Sequence, residues 1–394
     1  MNNKVADQWS DKWLLPEGVE EVLPPHAECL EQLRRGIIDL FQSWGYELVI
    51  PPLMEYLESL LTGSGHDLDL QTFKITDQRT GRLMGVRADM TPQIARIDAH
   101  RLKNNSPNRL CYLGPVLQTN PKGLSASRNP LQIGAELFGH DGLESDVEII
   151  CLMLAVLKKA GLESVYMDIG HIKIFNGLVK QAGLSQDQEH QLFDILQRKA
   201  VPELKECLSG WNLSADASAM LEALVDLNGG REVLEIAKDT LSKADQDVQQ
   251  ALCDLIVIVD QVLLRVPDLK LNIDLSELRG FHYHTGVMFA AYLPGHGQAI
   301  ARGGRYDEIG EVFGRARPAT GFSTDLKSLI HTGTLECDQK ETIHAPWSGD
   351  PDLAGAVHKL REEGCRVVNQ LPGHNENDSA NKTLVKENNN WIVK

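Results

Sequence analysis

The sequence predicts an α+β protein in which an antiparallel sheet is flanked by helices, interrupted by a mainly helical insertion and followed by a small α/β segment. Three observations lead to this fold class. A long amphipathic helix pattern at residues 26–44 precedes a series of short strand-like segments. Between about 174 and 265 the apolar spacing is helical, and beyond 270 strand-like segments return. Because the two kinds of pattern are segregated along the chain, they favour α+β architecture over regular alternation.

The first predicted element is the helix at 26–44. Its apolar residues recur at intervals of three and four, which places them on one helical face. They are Leu30, Leu33, Ile37, Leu40, Phe41 and Trp44. Gly45 ends the helix, and the pair Pro51-Pro52 stops the strand that is predicted at 46–50.

The next segments are a mixture of strands and helices. Strands are predicted at 82–87, 110–116, 131–139 and 165–170, and helices at 91–102 and 145–159. Pro92 falls in the first turn of its helix, where proline is tolerated. A loop rich in Gly, Ser, Asn and Pro joins the second and third of these strands, so we expect them to form an antiparallel pair.

The helical insertion divides the main domain into two parts. We predict a domain at 1–173 that continues at 266–330, with the insertion at 174–265 between them. Strands at 271–275, 285–292 and 298–301, and a helix that opens near Asp325, complete the second part.

A separate C-terminal segment is predicted at 331–394. It combines a strand–helix–strand pattern at 342–368 with a hairpin whose turn contains the asparagines at 388–390. This segment accounts for the small α/β part of the predicted fold.

The composition narrows the class of function. The chain has 394 residues and a formal net charge of −16, with no dense Lys/Arg run interleaved with aromatic residues, so we expect no tRNA partner. No signal peptide and no bilayer-spanning apolar run is visible, so we expect a cytoplasmic protein without membrane contact. The seven cysteines form no C-x-x-C pair, and His282 and His284 lack a third ligand at suitable spacing. We therefore predict no metal site and no cofactor.

Residues 114–120 and 134–139 form the frame of a known motif. This frame resembles motif 2 of class II aminoacyl-tRNA synthetases, in particular the histidyl-tRNA synthetase family. Further matches follow in the family's order at 44–53 (motif 1), 87–91, 278–286, 303–307 and 319–328 (motif 3). The resemblance covers most of the first 330 residues. It implies a class II synthetase-like antiparallel sheet flanked by helices. It also implies self-association as at least a dimer, joined across the apolar stripe of the helix at 26–44 and the strand that follows it, where motif 1 lies.

The resemblance also implies a binding site for free histidine, since the matching positions of the family hold that amino acid. The residues of this chain at those positions are Asp89, Thr91, Gln132, Glu136, Arg279, Tyr283, His284 and Tyr306. From the residues alone, two alternatives stay open. Asp89 and Thr91 can cap the helix that follows them. Gln132 and Glu136, four apart on one strand, can form a solvent-facing edge.

The positions that hold ATP in the family have lost their charges. Gln118 stands where motif 2 has an arginine on the α-phosphate, and Asn120 stands where it has a glutamate that helps to hold the adenine. In motif 3, Ser328 replaces the arginine that grips the γ-phosphate, and Asp325 adds a carboxylate nearby. A neutral amide supplies neither the bidentate contact nor the charge that adenylate formation requires. The resemblance therefore implies a degenerate ATP site and no catalytic residues.

This combination resembles the regulatory subunits of ATP phosphoribosyltransferase, a paralogous branch of the synthetase family, and the lead-in at 15–25 is also similar to that branch. The resemblance implies a non-catalytic subunit that binds and activates the short-form ATP phosphoribosyltransferase catalytic subunit. In that role it serves the first step of histidine biosynthesis and helps to confer feedback control by histidine. The alternatives are a degenerate or atypical histidyl-tRNA synthetase-like aminoacyl transferase, and a scaffold that binds no small molecule.

Overall fold

The computed structural model describes residues 13–61, 66–120, 127–276, 284–334, 341–373 and 382–394. The chain divides into two units, Met1–Leu335 and Glu336–Lys394. Within the described ranges, no helix combines the length and the apolar character that crossing a bilayer requires.

A large mixed sheet organises the first unit. The described strands of this unit are β1 (Glu47–Val49), β2 (Met54–Tyr56), β3 (Phe73–Thr76), β4 (Leu83–Val86), β5 (Asn108–Pro115), β6 (Leu131–Phe138), β7 (Tyr166–His171), β8 (Asn228–Gly229), β9 (Lys270–Asp274), β10 (Val287–Tyr292), β11 (Ala301–Arg305) and β12 (Ala319–Asp325). Nine of these described strands form the large sheet in the order β1-β5-β6-β12-β11-β10-β7-β9-β8. From β5 to β7 every neighbouring pair is antiparallel, as the sequence predicts, whereas β1 joins β5 and β9 joins β7 in parallel. The remaining three, β2, β4 and β3, form a small antiparallel sheet.

Helices pack against the apolar face of the large sheet. The described helices of the unit are α1 (His26–Ser43), α2 (Leu57–Leu60), α3 (His66–Gln71), α4 (Thr91–Ile97), α5 (Leu143–Lys159), α6 (Ile172–Ala182), α7 (Gln186–Gln197), α8 (Val201–Gly210), α9 (Ala215–Ala223), α10 (Val233–Thr240), α11 (Gln246–Arg265) and α12 (Leu326–Thr332). On β6, Ile133 and Leu137 enter the hydrophobic core that α1 and α5 share. Because side chains alternate along a strand, Gln132 and Glu136 point to the opposite face, which carries the candidate site.

The observed elements agree with most of the predicted ones. The helix at 26–44, the pair of strands β5 and β6, and the helical character of 174–265 are all present. The helix expected at 91–102 is α-helical only to Ile97 and continues as a π-helical turn, Asp98–Leu102. The strand expected at 298–301 begins at Ala301. Strand β12 was not predicted, because it contains Thr, Gly and Ser and is largely buried on both faces, which removes the alternation of a surface strand.

The second unit is a small α/β fold. Its described elements are β13 (Thr342–Ala345), α13 (Pro351–Glu362), β14 (Arg366–Asn369), β15 (Lys382–Glu387) and β16 (Asn390–Val393). The strands follow the order β14-β13-β15-β16, and the first two pairs are parallel. The predicted hairpin is confirmed as β15 and β16, where Asn388 and Asn389 adopt φ values of 47° and 65°. Asparagine tolerates this left-handed conformation better than most residues, which explains the turn.

A buried ion pair fixes the π-helical turn to the start of β12. Arg317 Nη1 donates to the two carboxylate oxygens of Asp98 at 2.9 and 3.1 Å, and Nη2 donates to the Ser106 carbonyl at 2.6 Å. Asn108 also donates to Asp98. The guanidinium lies over Gly139, where a Cβ atom would be 1.8 Å from Nη2. Three separate segments therefore depend on one buried pair of charges.

We expect Arg317→Ala to destabilise the chain by about 3–5 kcal/mol, because it leaves the buried Asp98 carboxylate without its counter-ion. Urea unfolding at pH 7 measures this loss. Arg198→Ala, which breaks an exposed ion pair with Glu203, is the control and should leave the midpoint nearly unchanged. Equal shifts for the two variants would contradict this interpretation of the Asp98–Arg317 pair.

Candidate functional site

A buried carboxyl group, that of Glu136, lies at the centre of the candidate site. Glu136 is only 1% exposed. Its Oε1 accepts hydrogen bonds from the Tyr112 hydroxyl at 2.9 Å and from the Thr91 hydroxyl at 3.2 Å, and its Oε2 accepts one from the Tyr306 hydroxyl. Strand β5, helix α4 and the segment after β11 thus each bring one hydroxyl group to the same carboxyl group on β6.

Two glycines leave room for this carboxyl group on the sheet. Gly321 of β12 is the partner of Glu136 in the strand register, and a Cβ atom there would lie 1.5 Å from Glu136 Oε2. A Cβ atom on Gly134 would lie 2.5 Å from the Tyr112 hydroxyl oxygen. Since neither approach is physically possible in a packed interior, any side chain at these positions would displace the cluster.

A second group of polar residues adjoins the first at the start of α4. Asp89 Oδ1 accepts hydrogen bonds from Gln132 Nε2 at 2.8 Å and from the Thr91 amide at 3.0 Å. Gln132 Oε1 accepts one from the Met90 amide at 2.9 Å. The N-cap residue of α4 is Met90, which gives no side-chain cap, although Asp89 accepts from the first amide of the helix. The same carboxylate also holds Gln132. The other alternative, a solvent-facing strand edge, is wrong, because Gln132 and Glu136 are both buried inside the sheet.

The electrostatic environment of Glu136 favours its neutral form. Burial raises the pKa of this carboxyl group to about 8. Hydrogen bonds from Tyr306 and Tyr112 favour the ionised form and offset part of this effect, whereas the negative charge of Asp89 adds to it. At neutral pH the carboxyl group is therefore mostly protonated, and a cation placed beside it would promote its ionisation.

His284 lies on the same face of the sheet. A Cβ atom on Gly304 would lie 2.8 Å from Cε1 and Nδ1 of the imidazole, and Gly304 is in register with Gly321. Burial of the ring lowers the pKa of His284 to about 4, so the imidazole is neutral at physiological pH. The other two residues of this predicted element, Arg279 and Tyr283, lie outside the described residues, and their roles stay predictions.

A buried arginine holds the strand that precedes Tyr306. Arg305 Nε donates to Asp146 at 3.0 and 3.1 Å, and Nη2 donates to the Ser145 hydroxyl at 2.9 Å. Arg305 Nη1 also donates to Asp307 at 3.2 Å. These contacts join β11 to α5, so the arginine of this motif has a positioning role, and the next residue, Tyr306, donates to Glu136.

The motif 2 and motif 3 positions take part in internal contacts. Gln118 Nε2 donates to the Ala88 carbonyl at 3.3 Å, and Asn120 is exposed. Asp325 caps α12: it accepts from the Lys327 and Ser328 amides at 3.2 and 3.3 Å and from the Ser328 hydroxyl at 2.8 Å. The same carboxylate accepts from the Leu131 amide at 2.9 Å.

An open cavity of about 1640 Å³ extends from the Asp89–Gln132 pair to the motif 2 and motif 3 positions. Its lining includes six of the predicted positions, Asp89, Gln118, Asn120, Gln132, Asp325 and Ser328. Thr91, Glu136, His284 and Tyr306 are not part of that lining and lie behind it. Within the described ranges, no three His, Cys, Asp or Glu side chains are grouped as a metal ion would require.

Sequence analysis missed Tyr112 and Arg302. Tyr112 hydrogen-bonds both Thr91 and Glu136. Its position two residues before the motif 2 frame, on the strand predicted to pair with the one at 131–139, was the available signal. Arg302 lines the cavity from β11 and directly precedes the motif at 303–307, so it falls outside the matched motifs.

Comparison with known proteins identifies the family. The family model described as Histidyl-tRNA synthetase matches residues 18–329, and the model described as ATP phosphoribosyltransferase subunit HisZ C-terminal domain matches residues 340–394. A curated protein from Thioalkalivibrio sulfidiphilus (strain HL-EbGR7), named ATP phosphoribosyltransferase regulatory subunit, is 56% identical over 372 residues, or 94% of each chain. The chain belongs to the family of ATP phosphoribosyltransferase regulatory subunits. The resemblance predicted from its motifs is confirmed.

Solved structures confirm that this chain has a class II synthetase-like fold. An ATP phosphoribosyltransferase regulatory subunit/histidyl-tRNA synthetase from Bacillus halodurans C matches with a TM-score of 0.83 and 28% identity, over 93% of this chain and 95% of that chain. A chain of the ATP phosphoribosyl transferase (HisG:HisZ) complex from Thermotoga maritima matches with a TM-score of 0.59 and 17% identity, over 78% and 98% respectively. At that identity the second match shows a shared fold alone.

We expect Glu136→Gln to become more stable relative to the wild type as the pH rises from about 5 to 8. The carboxyl group has a pKa of about 8 in the folded state and near 4.5 when unfolded, so between these values the folded wild type binds more protons. Its unfolding free energy therefore falls with increasing pH, by on the order of a few kcal/mol, and the amide variant is spared this loss.

Urea midpoints of both proteins at pH 5, 6.5 and 8 measure this difference. Glu148→Gln is the matched control, because the Arg109 and Tyr46 contacts hold the pKa of Glu148 below its usual range. That variant should instead lose stability at neutral pH. A constant difference between Glu136→Gln and the wild type across the three pH values would contradict the raised pKa of Glu136.

Proposed function

We propose that this chain is a non-catalytic regulatory subunit that binds and activates a short-form ATP phosphoribosyltransferase catalytic subunit and makes its turnover sensitive to histidine. The name of its relative and the complex described for Thermotoga maritima support the partner. One observation carries the proposal. Asp89 and Gln132 present to the cavity polar groups that suit a small zwitterion and are joined to the Glu136 network, whereas Gln118, Asp325 and Ser328 are used for internal contacts.

Free histidine is the proposed ligand of the cavity. Asp89 lines the cavity, and its Oδ1 already accepts two hydrogen bonds, so its second carboxylate oxygen can accept from the ammonium group of the ligand. Gln132 holds Asp89 in this orientation. Thr91, Glu136, His284 and Tyr306, which the resemblance also assigns to the ligand, lie behind the lining. We therefore assign them to the support of Asp89 and Gln132 rather than to direct contact with the ligand.

Adenylate chemistry is not part of the proposal. Asp325 places a carboxylate at the start of α12 and Ser328 bonds to it, so the motif 3 position offers a hydroxyl where an arginine would bind a triphosphate. Gln118 offers a neutral amide in place of a guanidinium. The alternative, an atypical histidyl-tRNA synthetase-like aminoacyl transferase, shares the fold but requires groups that offset the developing phosphate charge.

Self-association as at least a dimer is part of the proposal. The helical stripe that was predicted for the interface is not available, since Leu33, Ile37 and Phe41 are buried inside the chain. The neighbouring edge strand β1 and the residue that follows it instead leave apolar side chains exposed, Leu48 at 40% and Ile50 at 79%. This patch supports an interface through motif 1. Sedimentation at micromolar concentration tests it, and a monomeric mass would contradict it.

Asp89→Asn is expected to lower the histidine affinity of the purified chain roughly 10- to 100-fold, because a neutral amide replaces a charge-assisted acceptor. Isothermal titration calorimetry measures the change. Gln118→Ala, which alters the same cavity on the motif 2 side, is the control and should bind histidine as the wild type does. ATP should give no binding heat. Histidine-dependent pyrophosphate exchange by the wild-type chain would instead establish the aminoacyl transferase.

The partner is tested by adding this chain to a short-form catalytic subunit with ATP and phosphoribosyl pyrophosphate. We expect an increased rate that histidine suppresses, and a histidine affinity that the catalytic subunit shifts by roughly 5- to 150-fold, because coupling between two binding sites is reciprocal. Asp89→Asn should still activate but lose sensitivity to histidine. No change in rate would defeat the proposed partner, whereas inhibition that survives in Asp89→Asn would place the sensor in the catalytic subunit.

A further inference from the structure

The lining of the cavity includes Arg302, which lies outside the matched family motifs and takes no part in the internal contacts described above. We propose that Arg302 binds the carboxylate of the amino-acid ligand, opposite the group that holds its ammonium. This inference rests on the proposed histidine site. Beside Arg279, which the resemblance implies for the ligand, it adds a second arginine that would favour an amino acid over its analogues without a carboxylate.

The strand register places Arg302 on the same face of the sheet as Gln132. Gln132 is in register with Asp325, Gly134 with Ser323, and Ser323 in turn with Arg302. Both Arg302 and Gln132 line the cavity. Their Cα atoms are two strands and two residues apart, which is roughly 12 Å at ordinary strand spacing. Two side chains that face one cavity across this distance leave a gap of the size of a small zwitterion.

Arg302 differs from the other cationic groups of the cavity in having no internal partner. It is exposed, and within the described part of the chain it forms no hydrogen bond or ion pair. Arg128 donates to the carbonyls of Gln118 and Glu17 at 3.2 and 3.3 Å. Lys327 lies 3.7 Å from the Glu20 carboxylate. Of the two acids nearest to Arg302 in the register, Asp325 lies two residues along β12 and caps α12, and Asp168 lies beyond β10 and accepts from Asn272 at 3.1 Å.

The surroundings of Arg302 suit a planar anion. Its neighbours in the register are Ser323 and Ala290, whose short side chains leave the guanidinium uncovered. A guanidinium presents parallel N–H donors that match the two oxygens of a carboxylate. Because these donors start from a central strand rather than from a surface loop, less freedom is lost when they bind the ligand.

The test compares L-histidine with L-histidinol, in which a hydroxymethyl group replaces the carboxylate. Calorimetry with the full-length wild-type chain should give tighter binding of histidine. Arg302→Gln should weaken histidine binding roughly 10- to 100-fold while histidinol binding changes little, so that the preference is largely lost. Arg302→Lys should retain part of the preference, since it keeps the charge and loses the fork.

Arg128→Gln is the matched control, because it removes an equal charge from the wall of the same cavity and should keep the preference for histidine. Thermal melting of Arg302→Gln checks that an exposed side chain was removed without loss of the fold. Unchanged histidine affinity in Arg302→Gln, or equal weakening of both ligands, would overturn the inference and leave the histidine site intact. A wild-type chain that binds neither ligand would overturn the proposed site and this inference together.

Discussion

Burial of the Glu136 carboxyl group inside a sheet is the constraint on which the candidate site depends. A carboxyl group in this position requires donors on every side, and the antiparallel order of β5, β6, β12 and β11 provides them from neighbouring strands. It also requires space, which Gly321 and Gly134 leave free. The Arg305–Asp146 contact then holds the end of β11, so that Tyr306 completes the cluster.

The two ends of the cavity differ in their electrostatic environment. At one end, Asp89 and Glu136 lie close enough for the charge of one to raise the pKa of the other, an arrangement that gains from a cationic ligand. At the other end, the amide groups at the start of α12 already have an anion, because Asp325 accepts from two of them. A helix start that has its own carboxylate has little remaining attraction for an external phosphate. The Asp89 end therefore suits a ligand ammonium, whereas the first amides of α12 are already bound to a carboxylate of the chain itself.

Much of the candidate site could be predicted from the sequence, because its residues lie in short motifs with fixed spacing. Five of the predicted positions, Asp89, Thr91, Gln132, Glu136 and Tyr306, belong to one hydrogen-bonded network. Tyr112 and Arg302 were missed because their roles arise from cross-strand register, which no local pattern reveals. Strand β12 was missed for a related reason: a central strand buried on both faces shows no alternation.

The cap at Asp325 also couples the start of α12 to the start of β6. Replacing Ser328 would remove the hydroxyl that donates to Asp325. Replacing Asp325 would leave the first amides of α12 and the amide of Leu131 without this acceptor. Because both changes act on one set of hydrogen bonds, their effects on stability are expected to be non-additive.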